Sequence, residues 1–134
     1  MEECNALTIL SQVNHGPYCS FIPSTLEEKK ALYNAMTRPE HRFSDCLNMT
    51  VDVHNCYIEE VEMANDDTGE VQKIPRVVLI DGNNEGYVAI SRGVYRDFVH
   101  VCQVFGMPPW ADGVKLKFVQ NQIKDRRVYG LQIE

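Results

Sequence analysis

The sequence predicts an all-β chain with one central helix, on three observations: short β-branched runs, a two-residue alternation elsewhere, and one apolar stripe at helical spacing between them. The stripe is Val94, Phe98, Val101, Cys102 and Phe105, with Arg96, Asp97, His100 and Gln103 on the opposite side. Two aliphatic runs at 77–80 and 87–91 feed this helix. Gly82, Asn83, Asn84 and Gly86 between them supply the positive-φ residues of a hairpin. Gly106 stops the helix, and Pro108 and Pro109 prevent its continuation. At ~1.5 Å per residue it spans roughly 20 Å, about the mouth of a small barrel.

Taken in order, residues 1–24 show neither period and contain His15-Gly16-Pro17 and Pro23, so an irregular N-terminal arm is expected there, ahead of one domain at 25–134. Ser24-Thr25-Leu26-Glu27 has the spacing of a capping box, predicting a short helix over 25–36 that docks through Leu32, Tyr33 and Met36 and ends at Pro39. Leu47, Met49, Val51 and Val53 alternate with polar residues, and the pattern blurs beyond Asn55 before resuming with Tyr57, Val61 and Met63. That is one long strand with a bulge or bend. The acidic turn 65–70 leads into a strand beginning near Pro75. After the helix, Val114, Leu116 and Phe118 alternate with Lys115 and Lys117, and residues 128–133 form a last strand across the loop 121–126. One long bent strand, two shorter strands, a helix and a final hairpin is the order of a five-stranded OB-fold barrel, here with a short N-terminal helix added.

At 134 residues, with 44% hydrophobic and 24% charged residues, the composition is that of an ordinary globular domain. No apolar run approaches the ~20 residues of a membrane span. The acidic start, MEEC, lacks the basic region of a signal peptide, so a cytoplasmic protein is expected and the sequon at Asn48 goes unused. Five cysteines without a CxxC spacing read as reduced thiols, Cys102 as a small buried hydrophobe. A zinc site from Cys4, His15 and Cys19, with Cys46, His54 or Cys56 as the further candidates, is the sharper reading; without paired ligand motifs, no metal or other cofactor is expected.

The net charge of −6 is unevenly distributed: residues 1–70 carry −9 and residues 71–134 carry +3. An anionic partner is therefore compatible with an acidic chain, because local potential decides binding. Single-stranded nucleic acid needs cations along its phosphates and aromatic faces for its bases. Arg76, Lys115, Lys117, Lys124, Arg126 and Arg127 are the candidate cations, and Tyr87, Trp110 and Tyr129 the candidate stacking rings. Each ring has a competing place in the core, and the cations could equally be the solvated face of a hairpin. For catalysis the sequence offers less. His54 and Cys56 would share a face on a regular strand but lack an orienting third group, and there is no Walker loop, GxGxxG or HExxH. A non-enzymatic role is expected.

The segments LYNAMTRPEHRFSDCLNMTVDV, RVVLIDGNNEGYVAIS, GVYRDFVHVCQVFGMPPW and the lysine-bearing last hairpin, within residues 32–133, resemble the small single-stranded DNA-binding proteins of phages and mobile elements of Gram-positive bacteria. The resemblance implies an OB-fold viral protein that coats single-stranded DNA during phage-type replication in the cytoplasm of a bacterial host cell, as a homo-oligomer alongside replication proteins. The alternative expectation is an OB-fold interaction module that uses its acidic surface to bind or inhibit a host or replication protein.

Overall fold

The computed structural model describes residues 18–65 and 67–134. Its elements are β1 (Tyr18–Cys19), α1 (Leu26–Thr37), β2 (His41–Arg42), a 3₁₀ turn (Phe43–Cys46), β3 (Thr50–Ala64), β4 (Val71–Asp81), β5 (Gly86–Ile90), α2 (Arg92–Phe105), β6 (Val114–Ile123) and β7 (Arg126–Ile133). One curled sheet runs in the order β2-β5-β4-β3-β6-β7, with β1 added against β3. The protein is thus mostly β, a curled open half-barrel with two helices. No helix among the described residues is long and apolar enough to cross a membrane.

The long strand pairs with β6 through Thr50–Val53 and with β4 from Val53 to Ala64, and a register shift between Val53 and Asn55 marks the bulge where it changes partners. That bulge reverses the side-chain parity, so Val51 and Val53 before it and Cys56 and Ile58 after it all face the inner core. The inner core gathers these with Val77, Leu79, Val94, Phe98, Leu116 and Phe118. A second cluster covers the outer face, where Tyr57, Val78 and Ile80 meet Ala35 of α1.

The sheet curls but does not close. In a closed five-stranded barrel of this order, β5 and β7 would pair. Here the free edge of β5 is taken by β2, which runs parallel to it with His41 opposite Tyr87 and Arg42 opposite Val88. The opposing edge of β7 is taken by α2, whose Asp97 Oδ2 accepts the Leu131 backbone N–H at 2.9 Å. Between the two edges Phe43, 1% exposed, stacks on Phe118 at 4.4 Å and tilts against Tyr129 at 5.2 Å. A side chain fills the seam that backbone hydrogen bonds would otherwise have closed.

Several expectations shift locally. The N-cap of α1 is Thr25, which exchanges hydrogen bonds with Glu28, one residue later than the sequence spacing suggested. Because Ala31 and Ala35 bring the helix close to the sheet, Tyr33 and Met36 remain exposed instead of docking. Of the β4–β5 turn residues only Asn84 has positive φ, at 64°, since Asp81 holds the turn by accepting from the Asn83 and Glu85 backbone N–H groups. The last hairpin is tighter than expected: strand pairing continues to Ile123 and Arg126 and leaves only Lys124 and Asp125 in the turn. Of the arm, Tyr18–Cys19 pairs with Tyr57 and Ile58, while residues 1–17 lie outside the described residues.

Gly93 sits where α2 meets β7, and a Cβ there would stand 2.3 Å from the Tyr129 carbonyl oxygen. Alanine gains ~1 kcal/mol over glycine in a helix, but a backbone carbonyl cannot yield by an ångström. Gly93→Ala should therefore destabilise the fold by ~1–3 kcal/mol in urea unfolding; an unchanged midpoint would mean that α2 is not seated on β7.

A second expected outcome concerns Glu28. Its carboxylate accepts from the Ser24 backbone and hydroxyl and from the Thr25 N–H, which hold it at about 2 against an ordinary 4.5. A lowered folded value means the cap's contribution is complete above the ordinary value and fades as pH falls from about 4.5 towards 2. An NMR titration of Glu28 should find its midpoint near the lower value; a midpoint at the ordinary value would contradict the box.

Candidate nucleic-acid interface

The five cations near the C-terminus occupy one hairpin but two faces. In the β6–β7 register Leu116 lies opposite Ile133, Phe118 opposite Leu131 and Gln120 opposite Tyr129, which places Arg127 and Tyr129 on the face continuous with the core. Lys117 lies opposite Gln132 and Ile123 opposite Arg126, so Lys115, Lys117 and Arg126 project from the other face. Lys124 sits in the turn with φ 56°. A single trough holding all five, together with the aromatic rings, is therefore not what the hairpin presents. It presents a basic outer ridge, a basic tip, and one exposed cation and one half-buried ring on the face that continues the core.

These side chains are available. Lys115, Lys124, Arg126 and Arg127 are exposed and Lys117 half-buried, and none of the five forms an ion pair among the described residues. Across the β3–β6 pairing Lys115 faces Asp52 and Lys117 faces Thr50, and Asp52 Oδ2 is engaged with His54 Nε2 at 3.3 Å.

Three predicted contacts belong elsewhere. Arg76 has a side chain only 12% exposed, and its Nη1 donates to Glu59 Oε1 at 3.1 Å, so its charge is neutralised on the outer face of β4. Tyr87 is buried: it stacks on His41 at 4.6 Å, meets Phe118 edge-on, and donates its hydroxyl to Asp81 Oδ2. Burial, reinforced by that carboxylate, raises its hydroxyl well above the usual phenol range. Trp110 is also in the core, tilted against Phe98, with its indole N–H donated to the Gly106 carbonyl at 3.1 Å. Tyr87 is spent on the open seam, which needs large side chains to fill it, and Trp110 on the α2 side of the core against Phe98. Of the three candidate stacking rings only Tyr129 is partly open, and it leans on Phe43. Phe43 and His41, which complete this aromatic row, lie in a stretch with no periodicity and gave no sequence signal.

The His54–Cys56 pairing also dissolves. The bulge sends Cys56 into the core, fully buried, where desolvation raises its thiol far above the ordinary value, and leaves His54 on a concavity of about 420 Å³ shared with Asp52, Asp81, Asn83 and Tyr87. Two carboxylates there suit protons or cations rather than phosphate, and no nucleophile is hydrogen-bonded to His54 among the described residues. Of the zinc candidates, Cys4 and His15 lie outside the described residues, and Cys19 donates its thiol to the Phe21 carbonyl. Among the described residues no cluster of three or more His, Cys, Asp or Glu is arranged to hold a metal.

Because the Trp110 indole is bonded and only 8% exposed, titration with oligo-dT should leave tryptophan emission unaltered even if strands bind. A quench or red shift would put a base at Trp110 and overturn this placement. Comparison with protein-family models, with curated proteins and with solved structures finds no match for this chain.

Proposed function

We propose that the protein is a non-enzymatic, sequence-tolerant binder of single-stranded DNA that engages the strand along the β6–β7 hairpin. The observation that carries this reading is the concentration on one hairpin of five cations without ion-pair partners among the described residues, in a chain whose net charge is −6. Phosphates would track the ridge of Lys115, Lys117 and Arg126 and the tip at Lys124. Arg127 and Tyr129 would receive the strand where it turns into the curl. With Tyr87, Trp110 and Arg76 removed from the contact set, phosphate attraction outweighs base stacking, which favours tolerance of sequence over base readout.

The strand order supports the finer architectural reading. The pairings β3–β4, β4–β5, β3–β6 and β6–β7 are those of an OB-fold without its closing pair. In that frame β6–β7 is the terminal hairpin, and its outer ridge would replace the usual groove. A role in phage-type replication in the host cytoplasm, beside replication proteins, rests on the family resemblance of the sequence segments. The second reading, an interaction module for a host or replication protein, draws on the exposed acidic end of the β3–β4 ribbon, where Glu62, Asp67 and Glu70 stand without ion-pair partners among the described residues.

Fluorescence anisotropy of labelled oligo-dT across salt separates the two. Neutralising about five phosphates gives log K a slope of roughly −3.5 against log salt for single strands. Replacing Lys115 and Lys117 together by Ala should reduce that slope by about 1.4 and weaken binding on the order of tenfold for every sequence alike. A salt-independent affinity, or no binding at low salt, would defeat the DNA reading and favour the protein partner.

A further inference from the structure

The two long hairpins leave the sheet at opposite ends of β3. β6 pairs with β3 only from Val53 back to Thr50 and then runs on with β7 past the start of β3 to the turn at Lys124. β4 pairs with β3 to Ala64, but β5 accompanies β4 only over Arg76–Ile80, so the remainder projects as a two-stranded ribbon past the other end. Along β3 alone, at ~3.3 Å per residue, roughly 45 Å of strand lies between these ends.

Charge is segregated by end. The ribbon exposes Glu62, Asp67 and Glu70, and its first cation, Lys73, stands 4.0 Å from Glu60. The opposite tip exposes Lys124, Arg126 and Arg127 around the single acid Asp125. None of those six outward groups has an ion-pair partner among the described residues, so the tips do not neutralise each other within one chain. Each tip also exposes an aliphatic side chain, Val71 at 64% on the acidic ribbon and Ile123 at 56% on the basic hairpin. Charged residues on exposed strands do deter unwanted edge pairing, but either sign would serve that purpose at either end. Opposite signs at opposite ends, each beside an apolar contact, make the surface complementary to itself.

We propose that copies of this chain associate head to tail, the acidic β3–β4 tip of one molecule seated on the basic β6–β7 tip of the next. Such a contact uses different patches on the two partners, and so propagates as a row unless its rotation closes a ring. Pairing of exposed charges makes it weak and salt-sensitive. Three of its cations are also among the five assigned to DNA above. The competition described below rests on that assignment; self-association does not.

The test is sedimentation velocity on the full chain without nucleic acid. At about 0.05 M salt the weight-average sedimentation coefficient should rise with protein concentration, and at about 0.5 M salt it should stay at the monomer value. Two charge-reversed variants follow, E62K/D67K/E70K and K124E/R126E/R127E, with circular dichroism to verify folding. Each variant alone should associate roughly tenfold or more weakly than the parent, since its two tips then carry the same sign. An equimolar mixture of the two should recover association. A parent that stays monomeric at low salt, variants that associate like the parent, or a mixture that fails to recover would each overturn the proposal. Adding oligo-dT to the parent should dissolve the assemblies. If they persist while the charge swap still recovers association, the DNA assignment fails and the head-to-tail contact stands.

Discussion

The contact between Asp97 and the Leu131 N–H governs the architecture, because it gives β7 a helix where the strand order calls for another strand. A buried edge must have its backbone groups paired, and a carboxylate accepting an N–H makes a strong, short bond. Gly93 lets the helix axis approach close enough for that bond to form. With α2 on one side of the seam and β2 on the other, curvature is retained while closure is lost.

The identity of the core follows from this. An unclosed seam exposes an opening that only side chains can fill, and the row His41, Tyr87, Phe118, Phe43 and Tyr129 crosses it in successive ring contacts. Rings recruited to fill the opening cannot also stack on bases. In the proposed function, the burden of binding then passes to the charged hairpin. Its outer part, the exposed residues from Gln120 to Arg127, lies past the filled seam and owes nothing to the core.

The parts of the fold that sequence revealed were those with a strong period. The helix at Arg92–Phe105 and the alternation at Val114–Phe118 are written in regular spacing, and local apolar pattern decides them. The capping box of α1 slipped by one residue because Ser24-Thr25 and Glu27-Glu28 contain two overlapping boxes, and both Ser24 and Thr25 hydrogen-bond to Glu28. The start of β7 was invisible because Arg126 and Arg127 are polar on both faces of a ribbon that buries neither. Tyr87 and Trp110 were ambiguous for a deeper reason: an aromatic residue is equally suited to a filled core and an open platform, and what decides here is long-range packing without a local signature, the seam for Tyr87 and Phe98 of α2 for Trp110. The cations of the hairpin were recognisable as a group, whereas their division between two faces depended on a two-residue turn instead of a longer loop.

The ribbon carries a thermodynamic implication. Beyond Arg76 its two strands gain no third strand among the described residues; the Ser91 N–H meets the Pro75 carbonyl and Arg92 reaches Gln72 and the Lys73 carbonyl, and a two-stranded ribbon in water is barely stable. Fluctuations of the Ala64–Val71 and Met63–Gln72 pairs can therefore outrun those of the half-barrel, making the end of the projection a separate melting unit. Amide protons at its end should exchange with solvent long before those of Val77 and Leu79, so the molecule is rigid where it curls and supple where it reaches outward.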